Sequence, residues 1–297
     1  MTSGEGDYDA FWGSMVSRLE GTALDLEVKL DEFYSQPEWS IFRVHYSAMD
    51  GYRLFAWLSV PKRLQQGKMP ALLRMPDYGS VHDILYTPIR GDAVVMNATH
   101  RGQRGSDSSF QASYPGLLTE GIDRPDTYVM LDVFADALRG VQAVLAQQEA
   151  EIGPVVVIGS GLGGALALAA AAQWSQVKAV ASDTPLALGH PDVLDAPSGY
   201  PLGELHDYLR VYPHRRESVL ANAAPLDPVK MAPKVSVPVL LSLGRRDRGQ
   251  CPLAIGEELA GRLPNCDLRV YDGGSEGGGH PHGVVRAAWL KEQLGIS

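Results

Sequence analysis

The stretch Val155-Val156-Val157-Ile158-Gly159-Ser160-Gly161-Leu162-Gly163-Gly164-Ala165-Leu166 decides the fold. Its four β-branched residues make an apolar run that reads as a strand buried on both faces. Glycines at 159, 161, 163 and 164 permit a sharp turn and a close approach of backbone to backbone. From Ala165 to Gln173 the side chains are mostly small, which lets a helix lie close against a sheet. Strand, tight turn and returning helix form the repeating unit of a parallel sheet.

Working outward, Trp39 to Ala48 and Tyr52 to Val60 are β-rich runs separated by Met49-Asp50-Gly51. Asp-Gly between such runs is the strongest short-range hairpin signal, so an antiparallel hairpin is expected near the N-terminus. Short apolar runs recur at Ala71 to Met75, Ala93 to Met96, Pro154 to Ile158, Val177 to Ala181, Val237 to Leu243 and Leu268 to Tyr271, with helical patterns between several of them. The clearest helix spans about Thr127 to Gln148, where Met130, Leu131, Phe134, Leu138, Val141 and Leu145 recur at helical spacing behind a cap at Asp126. A last helix is expected over about Val284 to Leu294. The class is α/β, with a mostly parallel central sheet and helices on both faces. One domain covers 1–297, and the irregular segment of about 184–222 is expected as an insertion that roofs a pocket.

The chain has 297 residues, 45% hydrophobic and 21% charged, enough for one large core. A net charge of −9 argues against nucleic acid or an anionic membrane as partner, since both demand basic patches. The polar start MTSGEGDYDA has no signal-peptide pattern, and the small-apolar run from Ala165 to Ala172 is too short to span a bilayer. Two cysteines, Cys251 and Cys266, cannot build a disulfide framework, so a reducing, cytoplasmic setting is expected. No cofactor motif is read.

The turn Gly159-x-Gly161-x-Gly163 has the register of the nucleophile elbow, G-x-S-x-G, with glycine where serine should stand. Serine hydrolysis needs a nucleophile, a histidine base, a carboxylate that orients it, and N–H donors for the oxyanion. On a hydrolase sheet the chain order is nucleophile, acid, histidine. Asp247 follows the strand Val237 to Leu243, and His280 follows the next strand at the end of a glycine-rich loop.

Several motifs carry a family resemblance. Arg101-Gly102-Gln103 matches an R-G-Q element, and Gly159 to Gly164 matches a G-x-S-Q-G-G elbow apart from Gly161 and Leu162. Asp247 with Cys251-Pro252 approximates D-x-x-C-P with one extra residue, and His280 stands for a histidine in a G-H-E-like context. Asp77-Tyr78-Gly79 replaces His-Gly-Tyr-like residues. The chain thus resembles the acetyl xylan esterase and cephalosporin C deacetylase family of α/β-hydrolases, a carbohydrate esterase group. The resemblance implies that Arg101 and Gln103 brace the elbow, that the backbone N–H groups of Tyr78 and Leu162 form the oxyanion site, and that the chain assembles into a homo-oligomer restricting the pocket to small molecules.

Glycine cannot be acylated, which closes the ordinary acyl-enzyme route and leaves two readings. In the first, Asp247 orients His280, and the dyad activates water in the room left above Gly161. In the second, the chain is a silent homologue that binds a small ligand or serves assembly. Ser160 is a weak substitute nucleophile, one residue before the apex. His282 with Glu276 lacks ligand spacing for a metal, and the glycines lie too far along the chain for a dinucleotide fingerprint.

Overall fold

The computed structural model describes residues 5–63, 67–79, 83–196 and 199–296, so Pro197 and Ser198 of the expected insertion lie outside the described residues. A nine-stranded sheet runs in the order β1-β2-β3-β5-β4-β6-β7-β8-β9. An N-terminal helix α1 (Glu5–Gly21) and strand β1 (Glu27–Asp31) precede the hairpin β2 (Trp39–Ser47) and β3 (Arg53–Pro61). These strands pair antiparallel, and β3 joins β5 (Val94–Ala98) antiparallel too. From β5 onward every pairing is parallel, through β4 (Met69–Arg74), β6 (Ile152–Ser160), β7 (Val177–Asp183), β8 (Val239–Gly244) and β9 (Cys266–Tyr271).

Central strands buried on both faces need a layer on each side. Helices α2 (Val129–Ala146) and α3 (Leu162–Gln173) cover one face, where Phe134, Leu138 and Leu166 share a core with Leu73 and Val157. On the other face, Leu290 and Leu294 of α8 (Gly279–Leu294) pack with Leu72, Val156 and Ala181. Between β7 and β8 lie α4 (Gly203–Val211), α5 (Arg216–Ala223) and the single turn α6 (Pro228–Met231); α7 (Leu253–Arg262) precedes β9.

Two boundaries differ from the sequence expectation in ways that matter. Helix α2 starts at Val129 with Tyr128 as its N-cap, beyond Asp126. The last helix starts at Gly279, not near Val284, so His280 and His282 belong to its first turns. Gly278 and Gly279 adopt φ of 93° and 52°, which ends the loop and turns the chain into the helix at that point.

His100, in the loop after β5, is fully buried, with Nδ1 2.7 Å from the carbonyl of Arg101 and Nε2 without a partner. The ring is therefore the neutral Nδ1–H tautomer, and burial pulls its pKa from 6.5 down to about 4. The unfolded chain takes up this proton near 6.5 and the folded chain only near 4, so this stability is present above pH 6.5 and lost as pH falls. The full loss is about 3 kcal/mol. Denaturant titrations from pH 7 to 4.5 should show the parent weakening more steeply than His100→Gln; parallel curves would disprove this origin.

Candidate active site

The strand-turn-helix corner expected of an elbow is in place, with Gly161 at its apex. Gly161 sits between β6 and α3 at φ 55° and ψ −120°, a conformation that disfavours any residue with a Cβ. Its N–H donates to the carbonyl of Asp183 at 2.9 Å, and its carbonyl accepts from Leu186 at 2.8 Å. Gly159 is required by packing, because a Cβ there would collide with the backbone of Gly163.

The room expected above Gly161 is filled. A Cβ on Gly161 would stand 2.6 Å from Asp77 Oδ1 and 2.9 Å from Gln250 Nε2. Asp77 Oδ1 accepts the N–H of Tyr78 at 2.7 Å, and the backbone of Leu162 lies close enough to favour the charged carboxylate. One of the two donors expected for an oxyanion site, the N–H of Tyr78, is thus engaged by a carboxylate of the chain itself. Burial pushes the Asp77 carboxyl above the usual carboxylate range, while the two N–H groups and the Arg74 guanidinium pull the other way.

The loop carrying Asp77 is firmly held. Gln103 Nε2 donates to the carbonyls of Asp77 and Gly79 at 3.0 and 2.7 Å. Tyr78 reaches the other way, its hydroxyl 2.8 Å from Glu204 on α4, and Glu204 also accepts the N–H groups of Gly116 and Leu118. Arg101 does not touch the elbow. Its guanidinium grips Asp136 on α2 through Nε and Nη2, both at 2.9 Å, and Nη1 reaches Asp132 at 2.9 Å and Asp50 at 3.0 Å. Of the two expected braces, Gln103 secures the loop facing the elbow, while Arg101 ties its own loop to α2 and to the hairpin turn at Asp50.

Asp247 and His280 are not brought together. Both oxygens of the buried Asp247 accept backbone N–H groups, Oδ1 from Gly249 and Gln250 and Oδ2 from Cys251, at 2.9 to 3.0 Å. Burial nevertheless raises its pKa, because desolvation outweighs the three donors. His280 is exposed on the first turn of α8 and makes no hydrogen bond to any described residue. The expected dyad fails because the helix begins early and points His280 into solvent.

The neighbouring histidine is the engaged one. His282 is buried with Nε2 2.9 Å from Asp183 Oδ1 and Nδ1 3.0 Å from the Tyr271 hydroxyl. Ser242 donates to the same Asp183 oxygen at 3.0 Å, and Arg286 of α8 pairs with the other. Asp183 thus supports the elbow with its carbonyl and anchors α8 with its carboxylate. Sequence reading stopped the strand at Ala181 and missed it; an acid at a parallel strand's C-terminal end was the available signal. Among the described residues no group of three metal-binding side chains occurs, and Glu276 folds onto its own loop through the N–H of Gly274. Ser160 ends β6 half-buried, and among the described residues no histidine bonds its hydroxyl.

Known proteins share this framework. Residues 2–292 match the family model Acetyl xylan esterase (AXE1). The acetyl xylan esterase from Paenibacillus sp. R4 superimposes with a TM-score of 0.85 at 26% identity, covering 98% of this chain and 95% of that one. Acetyl Xylan Esterase 1 from Thermoanaerobacterium sp. JW/SL YS485 shares the fold with a TM-score of 0.85 at 24% identity, over 97% and 93% of the two chains. Acetyl esterase Axe7A of Xylanibacter ruminicola is 23% identical over 261 residues, 83% of this chain, and the chain spans 57% of that relative's length. With the α/β-hydrolase sheet, an elbow of the right shape and a family match over nearly its whole length, the chain belongs to the acetyl xylan esterase family.

Proposed function

We propose that this chain is a catalytically silent member of its family, retaining the fold and the site loops for binding or assembly rather than ester turnover. The observation that carries the reading is the Asp77 carboxylate, which accepts the N–H of Tyr78, one of the two expected oxyanion donors, and stands against the Cβ position of Gly161. A tetrahedral intermediate would have to bring a second negative charge beside the first, to a donor that Asp77 already engages, and like charges in a dry site repel strongly. The vacant apex adds to this, since Gly161 offers nothing to acylate.

Nor does any described histidine hydrogen-bond Asp247, whose oxygens take only backbone N–H groups. In a G-H-E-like context the histidine stands directly before the glutamate, and Gly274-Ser275-Glu276 places Ser275 there. That loop neighbours Asp247, whose carboxyl feels the charge of Glu276, whereas His280 lies four residues past Glu276 on the helix. Water activation by an Asp247–His280 pair lacks the hydrogen bond it requires. Assembly into a homo-oligomer is part of this reading, and light scattering on the purified chain reads it directly. Both cysteines are unpaired, and Cys251 is buried, which supports a reducing, cytoplasmic setting.

Hydrolysis of 4-nitrophenyl acetate and of acetylated xylo-oligosaccharides is the test. The parent and Gly161→Ser should both stay at the rate of the protein-free control. Saturable turnover by the parent that disappears in His280→Ala would overturn the proposal in favour of the dyad.

A further inference from the structure

The outer face of the β2–β3 hairpin holds a cavity of about 450 Å³ that the elbow does not use. Strand register sets His45 opposite Phe55, Arg43 opposite Trp57 and Ile41 opposite Ser59. Side chains alternate along a strand, so these positions share the face opposite the core residues Phe42, Val44, Ala56 and Leu58. Tyr34, Asp83 and Arg104 complete the walls. The aromatic rings support one another edge to face, Tyr34 to Trp57 at 5.2 Å and Phe55 to Trp57 at 5.0 Å.

The charges here are unevenly matched. Arg43 is paired with Asp31 at 2.6 Å. Arg104 is exposed and forms no ion pair with any described residue, and Asp83 spends one oxygen on the N–H of Ile84. Burial and the cations Arg53 and Arg43 hold the pKa of His45 down, against the opposing charge of Glu27.

Farther along the same strand face the shortage of acceptors repeats. Arg90 donates through Nε to Ser59 Oγ at 3.2 Å, and its guanidinium lies 4.1 Å from the Trp39 ring and 4.7 Å from the Tyr86 ring. Its Nη1 and Nη2, together with Trp39 Nε1, are buried without an acceptor. A strip rich in aromatic faces and donors, but short of acceptors, is complementary to an anion that carries a ring.

We propose that this face is a second ligand site for a ring compound bearing a carboxylate, with the ring against Trp57 and Tyr34 and the carboxylate on Arg104. The cavity volume lies in the range of small-molecule sites, about 300–1,000 Å³. An aromatic acid and a sugar acid share this chemistry, and a neutral ring would leave the donors unmet.

Calorimetric titration of the full chain with 4-hydroxybenzoate and with glucuronate tests it, using 4-hydroxybenzyl alcohol and glucose as neutral counterparts. At least one acid should bind at least about tenfold more tightly than its counterpart, and Arg104→Ala should weaken that binding at least about tenfold. Arg104 is exposed and forms no ion pair among the described residues, so the variant should melt like the parent, and Trp57→Leu should weaken the same acid. Binding of 4-hydroxybenzoate alone identifies an aromatic acid, binding of glucuronate alone a sugar acid, and binding of both the shared chemistry. The proposal is overturned if neither acid binds, if the neutral compounds bind equally well, or if Arg104→Ala binds like the parent.

Discussion

Arg101→Ala should destabilise the protein by about 3–5 kcal/mol, the range for removing one partner of a buried ion pair. Asp136 is wholly buried and accepts three bonds from Arg101, one from its backbone N–H and two from its guanidinium. Removing the guanidinium leaves that carboxylate charged and dry, with Asp132 and Asp50 adding like charge beside it. Against a typical domain stability of about 5–15 kcal/mol, much of the margin would go. Replacing both partners, as Arg101→Met with Asp136→Leu, should recover most of it, because no buried charge is then stranded. Denaturant titration of the double-mutant cycle measures the coupling, and a loss under about 1 kcal/mol for Arg101→Ala would refute the account.

The second large effect is a gain. Combining Asp77→Ala, Gly161→Ser and Ser275→His should raise 4-nitrophenyl acetate hydrolysis by about 10²–10³ over the parent, while each single change leaves it at background. The expectation follows from the way triad members act as a unit, single losses costing nearly as much as the loss of all. Asp77→Ala frees the N–H of Tyr78 and clears the carboxylate from the Gly161 apex, Gly161→Ser supplies the nucleophile, and Ser275→His places an imidazole on the loop beside Asp247. The three must act together, because a serine at the apex would still meet the Asp77 carboxylate at 2.6 Å from its Cβ. A triple variant no faster than the parent would show that the loops have drifted beyond repair, and a single variant matching the triple would show that only one part was missing.

The sheet was legible because its strands are short, apolar and separated by turn residues, and Asp50-Gly51 announced the hairpin. Helix α1 was not read, although Trp12 and Leu19 are buried, because charged and small residues interrupt its apolar spacing. The start of α8 was misplaced because Gly279-His280-Pro281-His282 has poor helix propensity, and proline is tolerated only in a first turn. That error moved two histidines. Asp183 and His282 lie 99 positions apart, and no local spacing signals their meeting across the sheet. Asp77 stood out in the sequence as a departure, but the direction of its carboxylate depends on backbone at Tyr78 and Leu162 together, which only the folded loops define.

A serine at φ 55° and ψ −120° holds its backbone where side chains are disfavoured, at a cost of about 1–3 kcal/mol that a working hydrolase tolerates for the sake of its nucleophile. Glycine adopts the same angles without that penalty, and its neighbours Asp183 and Leu186 fix the turn through backbone bonds alone. With glycine at its apex the corner keeps its shape without relying on any side chain, and a turn that a nucleophile would strain is among the relaxed parts of the molecule.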